Sequence, residues 1–239
     1  MAKYLRHLEG MYSDKTFNRK IDYLKFNFSG LLTRANLSTF SVLEIGPGMG
    51  ECISYLNSLG VHNIDIVDND REIINRSKKK FKIRKAILNQ NITSIDNTLG
   101  SYNLIVLIQV LEHIAPSKHK MIIRTLFKHL KKGGSVIIVV PNANNPLGIV
   151  ERYADLQHYT SFTEQSLKDL IVYSGIKNFI LKIKGFEIPP YSPINLIRIV
   201  LQKILHLILF LVMVVNGGNF FRIMTPNIML VVKKNPKTT

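Results

Sequence analysis

Apolar positions along the chain fall into short runs separated by stretches with helical spacing. The pattern predicts strands at 41–45, 62–67, 85–88, 104–108, 136–140, 178–183 and 228–232. Helices are expected at 51–59, 71–80, 117–130 and 163–175, and the first 35 residues read as helical and basic. The runs LIVLI and VIIVV, at 104–108 and 136–140, are apolar at every position, as expected of strands covered on both faces. Gly133-Gly134 is expected to end the helix before the fifth strand, and Pro141 to stop that strand. Thr163-Glu164-Gln165-Ser166 resembles a capping segment. Strands alternating with helices indicate a mostly parallel, doubly wound α/β sheet of seven strands with helices on both faces.

Between the sixth and seventh strands lie about 40 residues, a long connection for a compact domain. It contains 194–215 (INLIRIVLQKILHLILFLVMVV), an apolar helical insert. Asn195, Arg198, Gln202, Lys203 and His206 interrupt it, and at about 100° per residue they share roughly 140° of one face. The less interrupted part, from Ile204 onward, spans only about 18 Å, short of a bilayer core of about 30 Å. An amphipathic helix lying in the plane of a membrane is therefore expected, with packing on the domain or at a dimer interface as the alternative. The chain divides into a helical cap at 1–40, a core at 41–185, the insert at 186–225, and the last strand with a tail at 226–239.

Composition narrows the field. Of the 239 residues, 32 are Lys or Arg and 16 are Asp or Glu, a net charge of +16 that suggests an anionic partner. Runs such as 77–85 (SKKKFKIRK) fall at a helix C-terminus, where cations complement the dipole without any partner. With no RNA-binding module recognisable either, nucleic acid is not expected as a partner. The lone Cys52 excludes an intramolecular disulfide framework and an all-cysteine zinc site, and suits a reducing compartment. Residues 1–20 hold no apolar stretch that could act as a signal core.

Candidate chemistry begins where the first strand ends, in Val42-Leu43-Glu44-Ile45-Gly46-Pro47-Gly48-Met49-Gly50. The glycines permit a tight turn and a close backbone approach to a ligand. Glu44 is a charge in an apolar strand and calls for a cationic ligand group. Asp68 stands 68 − 48 = 20 residues after Gly48, a spacing that suits a carboxylate accepting from ribose hydroxyls. The glycine spacing is one residue short of G-x-G-x-x-G, so a nucleoside without a diphosphate fits better.

These residues resemble a class I S-adenosylmethionine-dependent methyltransferase. VLEIGPGMG resembles that family's first motif and IDIVDND its second; SYNLIVLIQVLEHI and FKHLKKGGSVIIVVPN resemble the stretches around the fourth and fifth strands. The resemblance implies a Rossmann-like methyltransferase fold and S-adenosylmethionine as cofactor. It implies that Glu44, Gly46, Gly48 and Gly50 line the methionine moiety, and that Asp68, with Asn69 beside it, holds the ribose. Asn91 and Ile92 would meet the adenine, Ile108 and Gln109 would pass close by, and Arg19 is a candidate for the cofactor carboxylate.

The segment 151–185 is similar to a branch of methyltransferases found in bacterial polysaccharide and O-antigen biosynthesis, through Asp155, His158, Phe162-Thr163 and Ser166-Leu167. An alcohol acceptor must lose its proton, and histidine is the natural base. His113 and His158 are the candidates, with Asp155 to orient His158 or to help bind a cation. Ubiquinone-biosynthesis O-methyltransferases, which the chain also resembles, carry a Glu-x-x-Glu-His metal element. Here it reads Gln109-Val110-Leu111-Glu112-His113, with an amide for one carboxylate, so no metal is expected. The expectation is an O-methyltransferase acting on a glycan or lipid-linked acceptor, cytoplasmic and peripheral on the inner face of the membrane through 194–215. Methylation of a quinone or lipid precursor is the alternative within the class, and a non-catalytic membrane-associated scaffold the alternative outside it.

Overall fold

The computed structural model describes residues 12–32, 37–89, 95–96, 98–217 and 220–236. Seven strands form one sheet in the order β3-β2-β1-β4-β5-β7-β6. They are β1 (Val42–Ile45), β2 (Ile64–Asp68), β3 (Lys85–Leu88), β4 (Tyr102–Ile108), β5 (Leu130–Pro141), β6 (Phe179–Gly185) and β7 (Asn227–Lys234). The first five pair in parallel, while β7 lies antiparallel between β5 and β6. The helices are α1 (Asp14–Phe28), α2 (Glu51–Ser58), α3 (Arg71–Lys80), α4 (Pro116–Lys128), α5 (Gly148–Ala154), α6 (Glu164–Tyr173) and α7 (Pro193–Asn216).

The continuous apolar runs work as two alternating faces. Leu43, Ile105, Leu107 and Ile138 point to one core, closed by Ile122 and Leu126 of α4 and by Leu167 and Ile171 of α6. Val42, Val106, Ile137 and Val139 point to the other, closed by Phe28 of α1, Ile53 and Leu56 of α2, and Ile74 of α3. α6 opens with a capping box in which Thr163 and Ser166 each bond the other's backbone.

Three expectations change. The fourth helix ends at Lys128, and β5 starts at Leu130 and runs through both glycines. Leu130 pairs with Tyr102 but Ser135 with Leu104, so residues 131–134 form an irregularity in the ladder. Gly133 takes φ +75° there, and a Cβ on Gly134 would come within 3.0 Å of the Tyr102 and Asn103 carbonyls. The glycines serve a bulge rather than a helix stop. α5 has no side-chain cap and was not foreseen. The third change concerns α7, whose polar positions do not form one solvated face. Asn195, Gln202 and His206 are half-buried on the side turned toward the rest of the chain, with Met213 buried on the same side. Only Arg198 and Lys203 among the five are exposed.

Candidate active site

β1, β2, β4, β5 and β6 all point their carboxyl ends to one edge of the sheet, the edge where open α/β folds bind ligands. At that edge β1 turns through Gly46, Pro47, Gly48 and Met49 into α2. Gly46 (φ +68°) is pressed on Val110, whose Cγ2 would lie 2.5 Å from an added Cβ. Gly48 (φ +53°) faces open space, with no atom within 4 Å of such a Cβ. One glycine therefore serves packing, and the other leaves room for a ligand against the backbone.

Glu44 is buried in β1. The Cys52 thiol from α2 bonds its carboxylate, yet Oε2 has no partner. Burial, with the nearby Glu51 charge, holds its pKa well above the ordinary value. Asp68 closes β2 and accepts from the Asp70 backbone N–H at 2.8 Å; burial pushes it up to about 6. Asn69 is exposed beside it.

α1 reaches this turn from above. Tyr12 donates to Glu51 Oε1 at 2.6 Å, and Lys20 Nζ lies 3.4 Å from the same oxygen. Tyr12 and Phe17 pack on Met49 and Ile73. Arg19 and Lys20 are both exposed on α1, and it is Lys20 that pairs with Glu51 at the start of α2. Arg76 donates to the Met49 carbonyl at 2.9 Å. Tyr12, Lys20, Glu51 and Arg76 were not foreseen, because nothing local in the sequence joins residues 39 positions apart. Asn91 and Ile92 lie outside the described residues.

Past β4 the chain changes character. Ile108 is half-buried in the second core, and Gln109 follows at φ +56°, rare for a side chain with a Cβ. Gln109 donates to Asn227 Oδ1 at 2.8 Å, which ties the end of β4 to the start of β7. The 3₁₀ turn Leu111–His113 comes next. His119 of α4 holds it, its Nε2 lying 3.1 Å from the Leu111 carbonyl and 2.8 Å from that of Ile114.

The turn places His113 beside His158, the ring centroids 4.6 Å apart. Two residues 45 positions apart in sequence, each a separate candidate, thus meet at one edge of the sheet. His158 Nδ1 is 2.9 Å from the Glu151 carbonyl, so it carries the proton and leaves Nε2 as a free lone pair. Asp155 Oδ1 accepts from the Gln157 backbone at 2.8 Å, closing a turn. The carbonyl of Glu151, rather than Asp155, therefore orients the ring. Burial, then the neighbouring His158, lowers the His113 pKa, and its buried Nδ1 has no partner. Glu112 lies between, fully buried, with neither carboxylate oxygen bonded. Burial pushes it up to about 8. Donor atoms of Glu112, His113 and His158 lie within 4.8 Å of one another, close enough to hold a cation; Gln109 is turned away to Asn227 and is not among them. In the sequence Glu112 stands only as part of an incomplete metal element, because a fully buried acid and a surface acid look alike there.

A family model described as a methyltransferase domain matches residues 12–178. The chain belongs to that methyltransferase family. No curated protein matches it. Among solved structures, the methyltransferase is similar to an S-adenosylmethionine-dependent methyltransferase from Archaeoglobus fulgidus. The two are 16% identical with a TM-score of 0.62, over 92% of this chain and 97% of that one. It is also similar to the plantazolicin methyltransferase BpumL in complex with S-adenosylhomocysteine, at 17% identity and TM-score 0.61 over 96% and 90% of the two chains. A third is the magnesium protoporphyrin IX methyltransferase of Synechocystis, at 11% identity and TM-score 0.53 over 92% and 82%. At these identities the likeness is one of fold.

The residues of the methyltransferase fit its cofactor. Glu44 has a buried oxygen without a partner, which suits an ammonium. Gly48 leaves space against the backbone, and Asp68 ends β2 at the place for a ribose. The cofactor brings a methyl group already activated on sulfur; the protein has to position the acceptor and take its proton.

Proposed function

We propose that this S-adenosylmethionine-dependent methyltransferase methylates a hydroxyl of a saccharide. The observation that carries the reading is the histidine pair, His113 against His158, at the carboxyl edge of the sheet. His158 has its tautomer fixed by the Glu151 carbonyl, so Nε2 is free to accept a proton. Burial keeps His113 uncharged beside it. An uncharged imidazole is the base an alcohol needs and an already anionic acceptor does not. The saccharide rests on the similarity of 151–185, through Asp155, His158 and Phe162-Thr163, to the polysaccharide branch. Phe162 is buried there and bridges Asn142 just past β5, which fixes the approach of the His158 loop to the sheet edge.

The test is transfer of labelled methyl to a panel of sugars, nucleotide sugars and lipid-linked glycans, against catechols and carboxylic acids as controls. Labelled methyl ethers on a sugar are expected. Label confined to the catechols or carboxylates would overturn the acceptor assignment and leave the family unaffected.

A further inference from the structure

We infer that α7 lies in the surface of an anionic membrane, its apolar face among the lipid tails and its polar stripe against the protein. The helix is a candidate membrane span by length and composition, and none of its apolar window is buried. At 1.5 Å per residue it is about 36 Å long. One stripe is covered: Asn195, Ile199, Gln202, His206 and Leu209 are half-buried, and Met213 is buried. These residues recur every three or four positions, so they share one side of the helix. Opposite them, Ile197, Leu201, Ile204, Ile208, Leu211 and Val215 are all exposed. At about 100° per residue, roughly half the circumference is apolar without a break. Arg198 and Lys203 stand on either border of the covered stripe, where long cationic side chains reach headgroups while their stems stay in apolar surroundings.

The ends of the helix exclude a single crossing. Asn142 Nδ2 donates to the Ile223 carbonyl at 2.9 Å and Asn145 Nδ2 to that of Met224 at 2.7 Å. Only residues 217–222 separate Asn216 from this anchor. Fully extended they reach about 21 Å, less than a bilayer core of about 30 Å. The other end is tied as well, because Asn195 donates to the Pro189 carbonyl at 2.8 Å. Both ends stay on one side, so the helix lies flat.

Charge decides the occupant. From residue 188 to Asn227, where β7 begins, there is no Asp or Glu, while Arg198, Lys203 and Arg222 are cationic. A second copy of the chain would bring like charge to like charge, whereas anionic headgroups complement it. Because β6 ends and β7 begins at the cofactor edge, the helix holds that edge against the lipid, which favours an acceptor carried on a lipid.

Flotation of the full chain with phosphatidylcholine vesicles, with and without phosphatidylglycerol, tests this. The protein should float with the anionic vesicles, less so at high salt. Arg198→Gln and Lys203→Gln should each weaken partition about fivefold. Combined Ile204→Glu, Ile208→Glu and Leu211→Glu should leave the protein in the aqueous layer while calorimetry shows S-adenosylmethionine still bound. Wild type that ignores anionic vesicles, or a triple variant that floats equally well, would overturn the inference. So would a wild-type dimer that becomes monomeric in the triple variant, since the face would then belong to a second copy. Cofactor binding is read separately, so a failed flotation and a failed methyltransferase reading are distinguishable.

Discussion

At the scale of single residues, the site combines carboxylates whose pKa burial raises with one histidine, His113, whose pKa burial lowers. Asp68 gives a pH prediction with a definite sign. Its pKa is raised from the ordinary carboxylate value to about 6, so the folded form binds the proton more tightly than the unfolded chain. Its contribution to stability is present at low pH and is lost as pH rises between about 4 and 6. Ribose hydroxyls donate to the ionised carboxylate, so cofactor binding should release a proton. Affinity for S-adenosylmethionine is therefore expected to rise from pH 5 to about pH 7 and then level off. Asp68→Asn should bind more weakly and lose the step near pH 6; a Kd profile by calorimetry would show an unchanged step if the residue lies outside the pocket. On the acceptor side, His158→Ala and His113→Ala should each lower turnover by about 10²- to 10⁴-fold with cofactor affinity intact if they share the proton. Turnover should also survive chelators, because a histidine base needs no cation. Loss of activity in EDTA that a divalent ion restores would instead assign Glu112, His113 and His158 to a metal.

At the scale of elements, what could be read from the sequence depended on how local the cause was. β4 and β5 announce themselves through the runs 104–108 and 136–140, where every residue is apolar, and a strand covered on both faces has no polar side to confuse the period. The glycine turn and Asp68 were legible because 20 residues separate them across one strand–helix–strand unit, a spacing that the unit itself dictates. Gly133 and Gly134 misled because a glycine that permits a bulge is indistinguishable from one that ends a helix until the partner strand is known. α5 was missed because seven residues with no cap leave no periodic signal. The meeting of His113 with His158 depends on the Tyr159 N–H bonding the Glu112 carbonyl at 2.8 Å, a long-range contact that neither local sequence contains. The capping box of α6 is the opposite case, local and legible. Thr163→Ala removes a side-chain acceptor for the Ser166 N–H and should cost about 1 kcal/mol. That is expected to lower Tm by about 2–4 °C in a calorimetric scan, since a kilocalorie shifts a domain of this size by that much.

At the scale of the whole molecule, α1 is the strut between the two ends of the site. Phe17 and Lys20 of its first two turns, with Tyr12 just ahead of the helix, cover the glycine turn. Its last turn is fastened to the chain that leads into α7. Asn27 donates to the Glu187 carbonyl at 2.9 Å and accepts from the Glu187 N–H at 2.8 Å; Lys184 reaches the Asn27 carbonyl at 3.1 Å, and Tyr23 stacks on Phe186. The fastening lies before residue 188, whereas α7 begins at Pro193 and buries only Met213. The helix is thus peripheral to the fold, but the segment at its root is not. Two deletions separate the two roles. Replacing residues 193–222 with a Gly/Ser linker keeps every Asn27 contact and the Ile223 and Met224 anchors. It should leave Tm within a few degrees and cofactor Kd unchanged. Extending the replacement back to 186 removes the Glu187 bonds and the Phe186 ring, at about 1 kcal/mol for each net hydrogen bond lost. That longer deletion should lower Tm further, by about 2–4 °C per kilocalorie, and weaken S-adenosylmethionine binding, because α1 then loses its hold and Tyr12 no longer covers the turn. Equal behaviour of the two variants in thermal unfolding and calorimetry would remove α1 as the link.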